Sequence, residues 1–360
     1  MIRAMRCTPA LVLLALTLAA CQPPITAGPA AVTAPPFPTV LTVMTHDSFS
    51  LSAPVLMDFE LANNAKVQFV KAGDAGTMLN KAILAKDSPL ADVLYGVDNT
   101  FLSRALNEGI FEAYASPALA DVPDDLRLDP ENRAVPIDTG DVCLNVDRAY
   151  FTGQGLRPPA SLADLTRPEY KGLLVVENPA TSSTGLAFLL ASVGAFGDPG
   201  YLDFWQRLAA NDVLVVDGWE TAYNSEFSGS SGRGSRPIVV SYGSSPVFEV
   251  VYAATAVREP PTAAIVADGT CFRQIEFAGI LRGTANRAMA EAWIDFMLSP
   301  RFQEDLPLQM YVFPVNRQAK LAPVFQEYLA VPDRPVVVAP AEIEAKRESW
   351  ITAWREVVLR

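Results

Sequence analysis

Between residues 40 and 108 the chain runs three times from a short β-branched strand into a polar turn and then into a helix. Strand 40–44 (VLTVM) stops at Thr45-His46-Asp47-Ser48-Phe49 and leads to a helix over 54–63. Strand 67–70 stops at Gly73-Asp74-Ala75-Gly76 before a helix over 77–86, where Met78, Leu79, Ala82 and Ile83 recur at helical spacing. Strand 91–95 stops at Gly96-Val97-Asp98-Asn99 before a helix over 101–108. Such a repeat folds as a parallel α/β lobe, and the ligand crevice of an open α/β sheet lies at the carboxyl ends of its strands. Each turn carries an aspartate: Asp47, Asp74 and Asp98. One such aspartate is accounted for as a helix N-cap. Three in the same topological position predict a cleft with negative potential.

The middle of the chain continues the pattern. Segments 133–138 and 142–146 read as two strands in a crossing region, and 172–176 as a buried strand. The hydroxyl-rich turn Glu177-Asn178-Pro179-Ala180-Thr181-Ser182-Ser183-Thr184-Gly185 then enters an apolar helix over 186–195. A turn of this kind offers N–H and hydroxyl donors to an anion or a polar tail; ordinary capping is the plainer alternative. After a helix over 201–210 come two β-branched runs, 213–216 and 238–240, expected as buried parallel strands. They stop at Asp217-Gly218-Trp219 and at Ser241-Tyr242-Gly243-Ser244-Ser245-Pro246. Trp219, Tyr242 and the hydroxyls of Ser241, Ser244 and Ser245 would then meet in one cleft, as a grip for a flat heterocycle with a polar tail. Alternatively Trp219 is a core residue and the serines cap a helix. The run 228–235 (SGSSGRGS) is a low-complexity loop without a G-x-S-x-G or G-x-G-x-x-G motif. A strand over 271–281, a helix over 286–298, an aromatic segment over 309–315 and a terminal helix over 341–360 complete the chain. In the terminal helix Ile343, Trp350, Ile351, Trp354 and Val358 read as packing residues.

The formal charge of −12 argues against nucleic acid as a partner and for a neutral or cationic ligand. A single histidine, His46, rules out a multi-histidine metal site, and no metal site or cofactor is expected. Arg3 and Arg6 precede an apolar run, 10–20, that is too short to span a membrane and has the layout of an export signal. Its end, Leu18-Ala19-Ala20-Cys21, resembles a bacterial lipobox, which implies cleavage before Cys21 and lipid attachment to its sulfur. The Pro-rich stretch that follows reads as a tether. Of the four cysteines, Cys7 leaves with the signal and Cys21 is acylated, so Cys143 and Cys271 remain as a disulfide pair in an exported chain.

The segments LTVMTHDSF, ADVLYGVDN, ENPATSSTGLAFLL, VDGWETAY, VVSYGSSPVFEV, WIDFMLSPRFQ and EIEAKRESWITAWREVV, in this order, resemble the substrate-binding proteins of bacterial ABC importers. Nearest within that family is the thiamine-binding type. The resemblance implies an α/β, two-lobed type II periplasmic binding fold closing around its ligand like a Venus flytrap. The expected division is a lipoprotein signal over 1–20, a tether over 21–39, one lobe from 40–138 with 272–318, and a second from 139–271 with 319–360. The implied ligand is thiamine or a thiamine phosphate, passed to ABC permease subunits by a non-enzymatic, membrane-anchored, monomeric protein. Family ligand positions fall on Asp74, Ala75, Ser182, Ser183, Trp219, Tyr242, Gly243, Ser244 and Ser245, with His46, Asp98 and Tyr311 as further candidates. The family has glycine at Ala75, tyrosine at His46, a second aromatic at Phe248 and tryptophan at Tyr311, and its tryptophan shortly after Phe49 has no aromatic counterpart. These departures leave thiamine and its pyrimidine half both open. Two other readings stand beside it: a binder of another small cation or of ferric iron on the same fold, and a thiaminase-like enzyme with Cys143 as its nucleophile, which needs a thiolate.

Overall fold

In a computed structural model of the chain, residues 38–230 and 233–359 are described. The signal, Cys21 and nearly all of the tether lie outside them. The first third alternates as its sequence predicts: β1 (Thr39–Thr45), α1 (Ala53–Asn63), β2 (Ala65–Lys71), α2 (Ala75–Leu84), β3 (Val93–Asp98) and α3 (Leu102–Asn107), then a two-residue β4 (Phe111–Glu112). β1 runs parallel to β2 on one side and to β3 on the other.

The crossing region differs from expectation. Segments 133–138 and 142–146 belong to one continuous strand, β5 (Val135–Asp147). Gly140 stays extended within the strand; a Cβ there would lie 2.8 Å from Tyr242 Cδ1, so glycine makes room for that ring. α4 (Arg148–Gln154), β6 (Leu174–Glu177), α5 (Ser183–Phe196), α6 (Gly200–Ala210), β7 (Leu214–Val216), α7 (Trp219–Thr221), β8 (Ile238–Tyr242), α8 (Ser245–Val251), β9 (Thr262–Ile265) and β10 (Phe272–Leu281) follow. α5 is apolar all round and accordingly buried. β7 was expected to be buried, but it is half-buried, because it pairs only with β6 at the end of the sheet. β8 is parallel to β6 and antiparallel to β5, so it is not a purely parallel strand.

The strands hydrogen-bond in the order β2-β1-β3-β10-β5-β8-β6-β7. β10 and β5 are the long central pair, antiparallel over Phe272–Ala278 and Val135–Val142. On one side of them lie β3, β1 and β2; on the other lie β8, β6 and β7. Cys143 and Cys271 form a disulfide at one end of this pair. That bond removes the thiolate on which the thiaminase-like reading depends. The C-terminal helix (Pro340–Val358) packs Trp354 edge-on against Trp205 at 5.6 Å, and both tryptophans are fully buried core residues.

Candidate functional site

A cavity of about 260 Å³ opens between the two halves of the sheet, at the ends of β1, β2 and β8 and against residues 309–312. Its wall is aromatic: Phe49, Trp219, Tyr242 and Tyr311. Its ionisable side chains include the acids Asp74, Glu220 and Glu276 against Lys71, whose Nζ already donates to the Asp47 carbonyl at 2.7 Å. Three carboxyls against one engaged ammonium, in a pocket walled by rings, favour a cationic guest.

Trp219 is held from three sides. Its indole Nε1 donates to Ser241 Oγ at 2.9 Å, its ring stacks on Tyr223 at 5.0 Å, and Tyr311 meets it edge-on at 5.5 Å. Ser245 in turn supports Ser241, with their hydroxyls 2.8 Å apart, and accepts from the Tyr242 N–H at 3.2 Å. Tyr311 adopts a left-handed backbone (φ 62°) and stacks flat on Phe248. The Tyr242 hydroxyl accepts from Gln274 Nε2 at 3.3 Å.

Asp74 caps α2 and reaches across the cavity. Oδ1 accepts from the N–H of Ala75 at 2.6 Å and of Ser183 at 3.4 Å, and Oδ2 accepts from the N–H of Trp219 at 2.9 Å. Alongside, the Thr181 carbonyl accepts from the N–H of Gly76 at 3.0 Å and of Thr77 at 3.3 Å. The N-terminus of α5, read from the sequence as a place for an anion, is thus engaged by a carboxylate of the protein itself. Burial pushes that carboxyl upward against these hydrogen bonds.

His46 packs over Gly96, whose φ of +104° only glycine adopts easily, and a Cβ there would overlap the imidazole at 2.3 Å from Cδ2. Burial, aided by Lys71, lowers His46 to about 4, so it is neutral. Its Nε2 lies 3.8 Å from Glu276 Oε1.

Of the twelve candidate positions, His46, Asp74, Ser183, Trp219, Tyr242 and Tyr311 line this cavity. Ala75, Ser182, Gly243, Ser244 and Ser245 are not among the lining residues; of these, Ser182 caps α5, the Ser244 hydroxyl donates to the Tyr311 carbonyl, and Ser245 braces Ser241. Asp98 is fully buried beneath the floor, with Thr100 Oγ1 donating to it at 2.7 Å. The three turn aspartates therefore do not converge: Asp74 lines the cavity, Asp47 binds the Gly73 N–H at its edge, and Asp98 is interior. Sequence reasoning passed over Glu276, Lys71, Glu220, Asn224 and Gln309. Glu276 left a signal, since Gln274 and Glu276 stand two apart on a strand whose remaining residues, Arg273 excepted, are apolar, and so face one side.

Residues 88–333 match the model of the bacterial extracellular solute-binding protein family. The chain belongs to that family, and it is a non-enzymatic solute-binding protein with a periplasmic-binding-protein fold. More particularly, it is a homologue of the thiamine-binding periplasmic proteins: it is 30% identical to that of Escherichia coli K12 over 91% of this chain and 96% of the relative. It is 28% identical to that of Brucella suis, over 87% of this chain and 90% of the relative. A solved periplasmic thiamin-binding protein superposes with a TM-score of 0.78 at 28% identity, covering 90% of this chain and 97% of that one.

Proposed function

We propose that this protein captures thiamine, or a thiamine phosphate, outside the cytoplasm and delivers it to the permease of an ABC importer. The observation that carries the reading is the pairing of an aromatic wall (Trp219, Tyr242, Tyr311) with the buried carboxyl of Glu276 in one cavity. A thiazolium is a fixed cation: ring faces attract it, and so does a carboxylate with no lysine or arginine of its own. The aminopyrimidine stacks, and Ser183, Asn224 and Gln309 offer polar contacts to it and to a hydroxyethyl tail. The halves built on 40–138 with 272–318 and on 139–271 with 319–360 act as lobes hinged at β5 and β10, and they close over the ligand. Calorimetric titration tests the reading with thiamine, its phosphates, the isolated pyrimidine and ferric ion. Thiamine or a phosphate should bind at least tenfold more tightly than the pyrimidine alone, about 1.4 kcal/mol; preference for ferric ion sinks the proposal.

Lipid attachment at Cys21 belongs to the same proposal, supported by the Leu18-Ala19-Ala20-Cys21 sequence and the Pro-rich tether. Cys21→Ala should move the protein from the membrane fraction to the soluble exported fraction. Equal distribution of variant and wild type contradicts the anchor.

A further inference from the structure

Glu276 is the centre of a row of acids. Its partner across the ladder on β3 is Asp98, and its partner on β5 is Asp138. Directly paired residues on neighbouring strands present their side chains to the same face. All three are buried, at 3%, 0% and 0% exposure for Glu276, Asp98 and Asp138. Among the described residues, no lysine or arginine forms an ion pair with any of them; the nearest basic nitrogen to Glu276 is His46 Nε2, 3.8 Å from Oε1.

The contacts within the row favour a retained proton. The Tyr95 hydroxyl lies 2.5 Å from Asp138 Oδ2 and 3.2 Å from Glu276 Oε2. A phenol has one proton to donate; with that proton on Asp138, the Glu276 oxygen either shares it or donates one of its own, and a protonated carboxyl there relieves the repulsion between two buried acids. Gln274 Nε2 donates to Glu276 Oε1 at 3.2 Å. The groups facing the row come from every side: His46 from the turn after β1, Tyr95 from β3, and Tyr242 from β8. Arg347 of the C-terminal helix and Asp74 act on Asp98, while Lys71 and Asp47 act on His46. Burial first, and mutual repulsion with it, holds Glu276 well above the usual carboxylate range; burial raises Asp138 and Asp98 to about 7.

We propose that the cavity takes up its ligand as a cation in exchange for a proton: as the positive ring settles against Glu276, the Glu276–Asp138 pair loses its shared proton to solvent. One carboxyl O–H bond breaks, the proton passes to water or buffer, and the cation keeps its covalent structure. Glu276 thereby selects for fixed positive charge, since a neutral guest of the same shape leaves the proton in place. The inference rests on the thiamine reading for its probe.

The test is calorimetric titration of the mature protein with thiamine, in buffers of different ionisation enthalpy, between about pH 6 and about pH 8. About one proton should be released per ligand at the low end, with Kd tightening by up to about tenfold per pH unit there. Glu276→Gln and Asp138→Asn should each reduce the release toward zero and flatten the pH dependence. The uncharged thiophene isostere of thiamine should bind without proton release. Wild type that binds thiamine with no proton exchange and one Kd across the range overturns the inference. Absence of thiamine binding overturns the functional reading instead, and infrared spectra of the ligand-free protein then decide the proton question. A protonated-carboxyl band at pH 7 that Glu276→Gln removes upholds the inference, and no such band in wild type overturns it.

Discussion

Asp74 and Trp219 join the two halves of the sheet across the cavity, the Trp219 N–H donating to Asp74 Oδ2 at 2.9 Å. Glycine at 218 permits the approach: a Cβ there would sit 3.1 Å from that same oxygen. With the Ser183 N–H on its other oxygen, Asp74 would latch the proposed closure of the lobes as well as form a wall of the cavity.

Asp74→Ala should weaken ligand binding by loosening closure. Hydrogen bonds to a charged group are worth about 1.5–3 kcal/mol, a loss of about ten- to hundred-fold in Kd. Titration calorimetry gives the Kd, and small-angle scattering should show a more open ligand-bound state. Unchanged affinity and compactness contradict the latch.

Trp219→Ala should exceed every serine variant in its effect on binding. A stacking or cation–π contact out of water is worth about 2 kcal/mol, or about 30-fold in Kd. Ser183→Ala should cost about two- to twelve-fold, from about 0.5–1.5 kcal/mol. Ser245→Ala should act mainly on stability, because its hydroxyl braces Ser241 and the Tyr242 N–H. Thermal melts alongside Kd values separate the two kinds of serine.

The strand–turn–helix repeat was legible because its apolar runs and polar turns follow local chemistry that tertiary contacts leave intact. Trp219, Tyr242 and Asp74 were legible as residues at strand ends. What escaped was anything set by pairing partners far apart in sequence. Asp98, Asp138 and Glu276 form a row only because β10 lies between β3 and β5. Likewise Ser182, Ser244 and Ser245 face inward because their hydroxyls already have partners, a distinction that a hydroxyl-rich sequence does not encode.

The same row makes stability depend on pH. Asp138 is raised to about 7 in the fold, above its unfolded value near 3.9, so the folded chain binds more protons in that window. Its contribution is therefore most favourable below about pH 4 and is lost as pH rises through about 7. His46, lowered to about 4, has the opposite slope between about 4 and about 6.5. Comparison with Asp138→Asn cancels the histidine. The melting temperature of wild type, minus that of the variant, should fall as pH rises from about 4 to about 7. A flat difference contradicts a protonated Asp138.

Reduction of the Cys143–Cys271 disulfide, which closes a separation of 128 residues, should lower stability by about 2–5 kcal/mol. Denaturant midpoints with and without reductant measure it, and Cys143→Ala with Cys271→Ala should reproduce the reduced value.

Native mass spectrometry of protein purified from its own host, without added ligand and compared with the same sample after mild denaturation, tests the central claim most directly. The account predicts a bound mass equal to thiamine or one of its phosphates, diminished in Trp219→Ala and Glu276→Gln. Protein that carries a different solute, and that does not exchange it for added thiamine, contradicts the account.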